Sequence, residues 1–176
     1  GGNVYSTLDG GNYGVMSGTS MSAPQLAGIT ALVMQHLYTV YPDAPDGTIR
    51  ELAEAILMST ADPIISSGSG VEASPRQQGA GLVNALEATT ATTYLTVGGG
   101  RPKAELGDNA NGKYTFSFEI HNLTAEEQTY TLKGSALGED FAPAGADLFF
   151  MYEQDYALED TTVSNLRSDA KVIADL

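Results

Sequence analysis

A serine near the beginning of the sequence has neighbours that suit nucleophilic catalysis. The stretch around it reads Gly18-Thr19-Ser20-Met21-Ser22-Ala23-Pro24. A glycine lets the backbone turn sharply into a helix. A serine at the helix start lies beside free backbone N–H groups, which stabilise a developing oxyanion. Proline fits the first turn of a helix, so we expect the helix to begin close to Ser20.

Two interpretations of Ser20 follow from this pattern. An ordinary Ser/Thr helix cap is common and would need no catalytic role. A catalytic nucleophile requires the sharp glycine turn and a long helix after it, and both are predicted here. We therefore take Ser20 as the candidate catalytic residue, with Gly18, Thr19 and Met21 as the residues that support the motif.

The predicted helix after Ser20 is uncharged and apolar nearly all round. No Asp, Glu, Lys or Arg occurs from Gly10 to Pro42. A helix of this kind is expected to be buried on most of its faces. It is too short, and too interrupted by Gln35 and His36, to span a membrane. The pattern therefore indicates a central helix that carries a reactive serine at its N-terminus.

Neither histidine of the chain suits the role of general base for Ser20. A base must lie within hydrogen-bond reach of the serine oxygen. His36 follows Ser20 by sixteen positions on the same predicted helix, which places it roughly 24 Å away at ~1.5 Å per residue. His121 lies on the polar face of a predicted strand in what we expect to be a second domain. The chain therefore has a candidate nucleophile and no candidate base.

Composition limits the possible partners. The 176 residues hold 22 acidic and 8 basic side chains, a formal net charge of −14, and no cysteine. This balance disfavours nucleic acid and an anionic membrane surface as partners. The lack of cysteine excludes disulfides and thiolate metal sites, and suits either the cytosol or a secreted bacterial protein. No twelve-residue calcium loop occurs, so we expect no metal and no cofactor in this chain.

The predicted elements change from helices to strands along the chain. Residues 49–57 have helical apolar spacing behind a capping box that begins at Thr48, and a short helix is expected from Asn84. From Tyr114 to His121 the period becomes two, with Phe116, Phe118 and Ile120 facing inward. Further strands are expected at residues 93–97, 128–132, 148–152 and 171–176, with Tyr130 and Leu132 on a strand that pairs with residues 114–121.

These motifs together resemble a known family. Residues 13–24 are similar to the serine motif of the subtilisin-like serine proteases, the subtilases. Three further features are similar to the lactocepin and complement-peptidase group of cell-envelope proteinases: residues 56–61, residues 74–81, and the alternating aromatic strand. The resemblance covers most of the chain up to about Leu132. One departure is Gln25, where many subtilases have a histidine that is not the catalytic base.

The resemblance implies an α/β fold and a serine endopeptidase that acts through an acyl-enzyme. Residues 1–91 would form the C-terminal, largely helical part of a subtilisin-like catalytic domain, and residues 92–176 an incomplete all-β sandwich of the fibronectin-III type. The substrate would be a polypeptide. The catalytic Asp and His and the oxyanion-hole Asn of the family precede the serine and have no positions here, so an N-terminal part of the same domain is the expected partner and the chain alone is expected to be inactive.

The resemblance also implies an exported protein attached to the bacterial cell wall, without membrane insertion by this chain, and it leaves room for calcium elsewhere in a complete enzyme. An alternative from another class stays open. The sandwich from about Thr92 onward could be a non-catalytic binding or spacer module of a cell-surface protein, with the Ser20 segment as a decayed protease remnant.

Overall fold

A computed structural model describes the backbone of residues 1–67, 70–107, 110, 115–132, 135–143, 149–157 and 161–166. The side chains are described as far as residue 131. The chain divides into two compact units, Gly1–Glu54 and Ala55–Leu176. We describe each unit by itself.

The first unit contains a hairpin that leads directly into a long helix. Strand β1, Val4–Thr7, pairs antiparallel with β2, Tyr13–Met16, and a short 3₁₀ turn at Asp9–Gly11 lies between them. Leu8 N–H donates to the Asn12 carbonyl at 2.8 Å and closes the connection. Helix α1 runs from Thr19 to Val40, so only Ser17 and Gly18 separate it from β2.

Helix α1 is far more exposed than its sequence predicts. Val33 and Leu37 are buried, whereas Leu26, Leu32 and Val40 are 45%, 56% and 48% exposed. The expectation that most faces are buried is therefore wrong for this chain. The physical reason is the number of neighbours: an all-round apolar helix needs packing partners on several sides, and this unit supplies only the hairpin and the first part of the next helix.

Helix α2 runs from Asp46 to Ser59 and buries the predicted apolar face. Ile49, Ala53 and Ile56 are at most 1% exposed. The predicted capping box is wrong, because the helix begins at Asp46 and Thr48 lies within its first turn. Tyr38 on α1 donates a hydrogen bond to Asp46 Oδ1 at 3.0 Å, and this bond raises the pKa of the tyrosine.

Two short helices and a glycine-rich loop follow in the second unit. Helix α3 spans Pro75–Gln78. The short helix predicted from Asn84 is present as α4, Ala85–Thr89, and Asn84 is its cap. The Gln78 side chain fastens the loop: its Oε1 accepts the Ile64 N–H and its Nε2 donates to the Ala73 carbonyl, each at 2.6 Å. Gly81 lies against the backbone of Asp62, and a Cβ at this position would collide with the Asp62 carbonyl oxygen.

Strands β3, Thr93–Val97, and β4, Phe118–Asn122, form an antiparallel pair. Burial alternates along β4, with Phe118 and Ile120 each 7% exposed, as the period of two predicts. Phe116 lies before the strand and is half-buried. The strand is shorter than predicted, and Tyr114 lies outside the described residues.

The partner predicted for β4 is wrong. Strand β5, Gln128–Leu132, pairs with β8, Thr161–Leu166, and β6, Ser135–Pro143, pairs with β7, Phe149–Ala157. Residues 123–127 connect β4 to β5. This connection is longer than the two-residue turns that most often join paired strands in a hairpin. Asn122 instead donates from its side chain to the Glu126 carbonyl at 2.7 Å and fixes a wider turn.

Asn122 also begins an Asn-X-Thr sequence that could serve as a glycosylation acceptor. Its side chain is buried, with the residue 5% exposed, and its Oδ1 accepts hydrogen bonds from the N–H and hydroxyl of Thr124. Both the nitrogen and the oxygen of the Asn122 side-chain amide are therefore hydrogen-bonded within the turn. Of the predicted later strands, residues 149–152 fall within β7, whereas residues 171–176 lie outside the described residues.

We expect Phe118→Ala to lower the free energy of unfolding by ~3–5 kcal/mol, because the substitution empties a buried phenylalanine site. Glu119→Ala is the control on the opposite face of β4, and we expect a change below ~0.5 kcal/mol there. Urea unfolding followed by circular dichroism measures both. A larger loss for Glu119→Ala than for Phe118→Ala would contradict the register of β4.

Candidate active site

The β1–β2 hairpin is followed directly by α1, and Ser20 is the second residue of this helix. Gly18 N–H donates to the Gly1 carbonyl at 2.9 Å, so the segment before β1 is hydrogen-bonded to the turn between β2 and α1. Ser20 is exposed to solvent. The sequence prediction that a helix begins close to Ser20 is confirmed, since α1 begins at Thr19.

Gly18 has a backbone conformation that favours glycine. Its φ of 152° and ψ of 173° are outside the regions that L-residues ordinarily occupy. A Cβ at this position would have open space around it, with Met21 Sδ at 3.9 Å as the nearest atom. The restriction is therefore conformational and not a matter of crowding.

Ser20 lies among the first N–H groups of α1. Met21 N–H and Ser22 N–H donate to the Gly18 carbonyl at 3.1 and 3.3 Å. The N–H groups of Thr19 and Ser20 precede these two and have no acceptor within the helix. Together with the positive end of the helix dipole, they form a position where a negatively charged oxygen is stabilised.

Pro24 lies deeper in the helix than its sequence position suggested. It is the sixth residue of α1, in the second turn. The expectation that it occupies the first turn is wrong, because the turn at Gly18 begins the helix already at Thr19. Pro24 has no N–H to donate to the carbonyl four residues earlier, and that carbonyl belongs to Ser20. The helix ladder is therefore interrupted at the candidate nucleophile.

A cavity of about 340 Å³ opens beside Ser20 within the first unit. It lies between the hairpin and the first turns of α1 and is lined mainly by apolar groups, among them Val4, Leu8, Met16, Met21 and Pro24, with Ser20 at its wall. Paired residues of an antiparallel sheet share a face, so Val4 and Met16 present one hairpin face to the cavity. The cavity is open to solvent, because Leu8 and Met16 in its wall are 41% and 50% exposed.

His36 is exposed on α1, whereas His121 is half-buried on β4. His36 lies on α1, sixteen residues beyond Ser20, and the helical rise separates them by roughly 24 Å. His121 lies on β4 in the second unit, where its ring stacks on Tyr94 with centroids 4.3 Å apart. Its Nε2 is 2.8 Å from Thr96 Oγ1 and 3.8 Å from a Glu119 carboxylate oxygen. The stacking and the polar contacts join this imidazole to residues of β3 and β4.

Sequence reasoning missed the hairpin residues that line the cavity, among them Val4, Leu8 and Met16, and the hydrogen-bonded pair Asn3 and Ser17. Apolar alternation in residues 4–7 and 13–16 is too short to distinguish a hairpin from a loop. Within the part of the chain that the structure describes, no three His, Cys, Asp or Glu side chains cluster as a metal-ligand set. Among the same residues, no helix combines the length and hydropathy needed to cross a membrane.

Comparison with known proteins extends these observations. The sequence profile of the subtilase family matches residues 2–81. The C5a peptidase of Streptococcus pyogenes is 35% identical over 125 residues, which is 71% of this chain and 11% of that protein. The PII-type and PI-type proteinases of Lactococcus lactis subsp. cremoris are each 36% identical over 146 residues, 75% of this chain and 8% of those proteins.

The hairpin, the glycine turn, Ser20 and helix α1 all lie within the matched segment. Residues 2–81 therefore form a segment of a subtilase domain, which is of the α/β class. This chain belongs to the subtilase family, and it is similar to the streptococcal and lactococcal proteinases of that family. It spans about a tenth of the length of these curated relatives.

We expect Gly18→Ala and Gly28→Ala to have opposite effects on the stability of the chain. Alanine at Gly18 must adopt a conformation that costs of order 1–3 kcal/mol. Gly28 lies within α1, has an ordinary φ and open space around a Cβ, so alanine there should stabilise the helix by ~0.5–1 kcal/mol. Denaturant unfolding of the two variants measures the difference. Equal effects of the two substitutions would show that the turn at Gly18 is not constrained.

Proposed function

We propose that Ser20 is the nucleophile of a serine endopeptidase. The observation that carries the proposal is the position of Ser20: directly after the Gly18 turn, at the N-terminus of α1, beside an apolar cavity and inside the segment that matches the subtilase family. Gly18 sets the turn, Thr19 begins the helix, and Met21 fixes the first turn through its N–H and lines the cavity.

The proposed reaction is acyl transfer to Ser20 Oγ. The oxygen attacks the carbonyl carbon of a peptide bond while a general base takes the hydroxyl proton. The Ser20 N–H donates to the oxyanion of the tetrahedral intermediate. The intermediate expels the amine, which receives the proton from the base. Water then hydrolyses the acyl-enzyme by the reverse sequence of proton transfers, and no cofactor takes part.

The general base and its orienting carboxylate are proposed to come from polypeptide outside these 176 residues. His36 is too far along α1, and His121 is engaged in the second unit. The expected partner is the part of the same catalytic domain that precedes Ser20 in the family. The broad exposure of the apolar helix α1 supports this proposal, because further polypeptide would cover it.

The remaining assignments extend the proposal. Residues 1–91 are the C-terminal part of the catalytic domain, and residues 92–176 belong to an accessory β-sandwich of the fibronectin-III type. The match to the family profile ends at residue 81 and the strands from Thr93 onward pair with one another, which supports a boundary between these positions. The substrate class is polypeptide. A site of action outside the cell, at the cell wall, is proposed from the resemblance to cell-envelope proteinases.

We expect the 176-residue chain alone to show no peptidase activity and no reaction of Ser20 with a fluorophosphonate probe. An unassisted serine hydroxyl is almost fully protonated at neutral pH and is a weak nucleophile. Gel-based labelling of the chain and of its Ser20→Ala variant tests this. Labelling that appears in the chain and disappears in the variant would contradict the proposal that the base lies elsewhere.

In the complete reading frame that contains these residues, Ser20→Ala should lower kcat by on the order of 10⁶, as removal of a triad serine does. Peptide hydrolysis by the purified complete protein measures the effect. Ser22→Ala, two positions away on the same helix turn, is the matched control. Unchanged hydrolysis in Ser20→Ala would overturn Ser20 as the nucleophile. No hydrolysis by the unaltered complete protein would favour the alternative in which the β-sandwich is a binding or spacer module and the Ser20 segment is a remnant.

A further inference from the structure

The segment before β1 does not continue the regular pairing of the hairpin. Val4 lies opposite Met16, and an unchanged register would place Gly2 opposite Gly18. Instead Gly1 makes both contacts with Gly18: its carbonyl accepts the Gly18 N–H at 2.9 Å, and its nitrogen donates to the Gly18 carbonyl at 3.1 Å. One extra residue is therefore accommodated on the β1 side, as in a β-bulge.

Asn3 is the residue that accommodates the change of register. Its φ is 52°, the only positive φ of a non-glycine residue within the described part of the chain. Asparagine enters this left-handed region more readily than other non-glycine residues, and β-branched residues do so least readily. Backbone conformations of this kind persist where the surrounding structure holds them, and they concentrate at functional sites.

The side chain that holds Asn3 belongs to Ser17, the residue directly before Gly18. Asn3 N–H donates to Ser17 Oγ at 2.8 Å, and the Ser17 hydroxyl is 3.5 Å from Asn3 Oδ1. A side-chain oxygen thus takes the place of a backbone acceptor at the point where the strand pairing shifts. On the other side, Ser17 is covalently linked to the turn that begins α1.

We propose that Asn3 and Ser17 form a clamp that positions the nucleophile turn. The clamp fixes the residue before Gly18, and the Gly1–Gly18 hydrogen bonds fix Gly18 itself, so the direction of the first turn of α1 is set from both sides. Ser17 and Asn3 do not contact the reacting atoms. They are positioning residues for Ser20, and this inference rests on the proposed function.

The test uses peptide hydrolysis by the complete protein, with kcat and KM determined separately. Ser17→Ala removes the acceptor, and we expect kcat to fall by roughly tenfold to a hundredfold with KM unchanged, because a small misplacement of a reacting group has effects of this size. Ser17→Thr keeps the oxygen and should restore kcat. The cleavage rate of an ester substrate should follow the same order, since it uses the same nucleophile.

The backbone part of the clamp is tested at Asn3. Asn3→Gly keeps access to positive φ and should retain most of the activity, whereas Asn3→Val cannot adopt this conformation without strain and should lower kcat at least as much as Ser17→Ala. Thr39→Ala is the control: it removes one hydroxyl hydrogen bond, 3.0 Å long, at the far end of α1. Its kcat should equal that of the unaltered protein.

The two proposals fail in different ways. A fully active Ser20→Ala variant overturns the proposed nucleophile. An inactive Ser20→Ala variant together with a Ser17→Ala variant whose kcat is within about twofold of the unaltered protein overturns only the clamp, because a twofold change is below that expected for a displaced nucleophile. A fall in melting temperature with kcat retained has the same consequence, since it shows a purely structural role. If Asn3→Val does not fold, the comparison of Ser17→Ala with Ser17→Thr still decides.

Discussion

The turn between β2 and α1 is the constraint on which the rest of the site depends. Within Ser17 and Gly18 the chain changes from an extended strand to a helix, and Gly18 makes this change in a backbone conformation that favours glycine. The turn places Ser20 among the unbonded N–H groups of the helix start. A serine one turn later would have its N–H bonded within the helix and could not use it for an oxyanion.

The same turn joins a residue that must be accessible to solvent, Ser20, to a helix whose composition is typical of a buried helix, α1. A nucleophile must be accessible, and Ser20 is exposed. The helix behind it is uncharged over its whole length, as a buried helix would be. In the described structure most of this helix faces solvent, while Val33 and Leu37 are buried. The contrast between its composition and its exposure supports an enzyme in which further polypeptide packs around α1 and also brings the general base to Ser20.

The second unit shows how side chains stabilise irregular backbone. Gln78 bridges two parts of the loop before α4, Asn84 caps that helix through its Oδ1 bond to the Glu87 N–H, and Asn122 fixes the turn after β4. Each of these side chains supplies a donor or an acceptor where regular secondary structure does not. The motif at residues 74–81, which carries part of the family resemblance, therefore has a structural role in the loop.

Local patterns in the sequence determined the helix start at the Gly18–Ser20 motif, the buried face of α2, the short helix near Asn84 and the alternation of Phe118 and Ile120, because each depends on neighbours a few residues apart. Tertiary structure alone decided the rest. The partners of β4 and β5, the exposure of α1, the cavity beside Ser20 and the pairing of Asn3 with Ser17 all join residues that are distant in sequence. Periodicity carries no information about which distant segment provides a strand partner, covers a helix or supplies an acceptor.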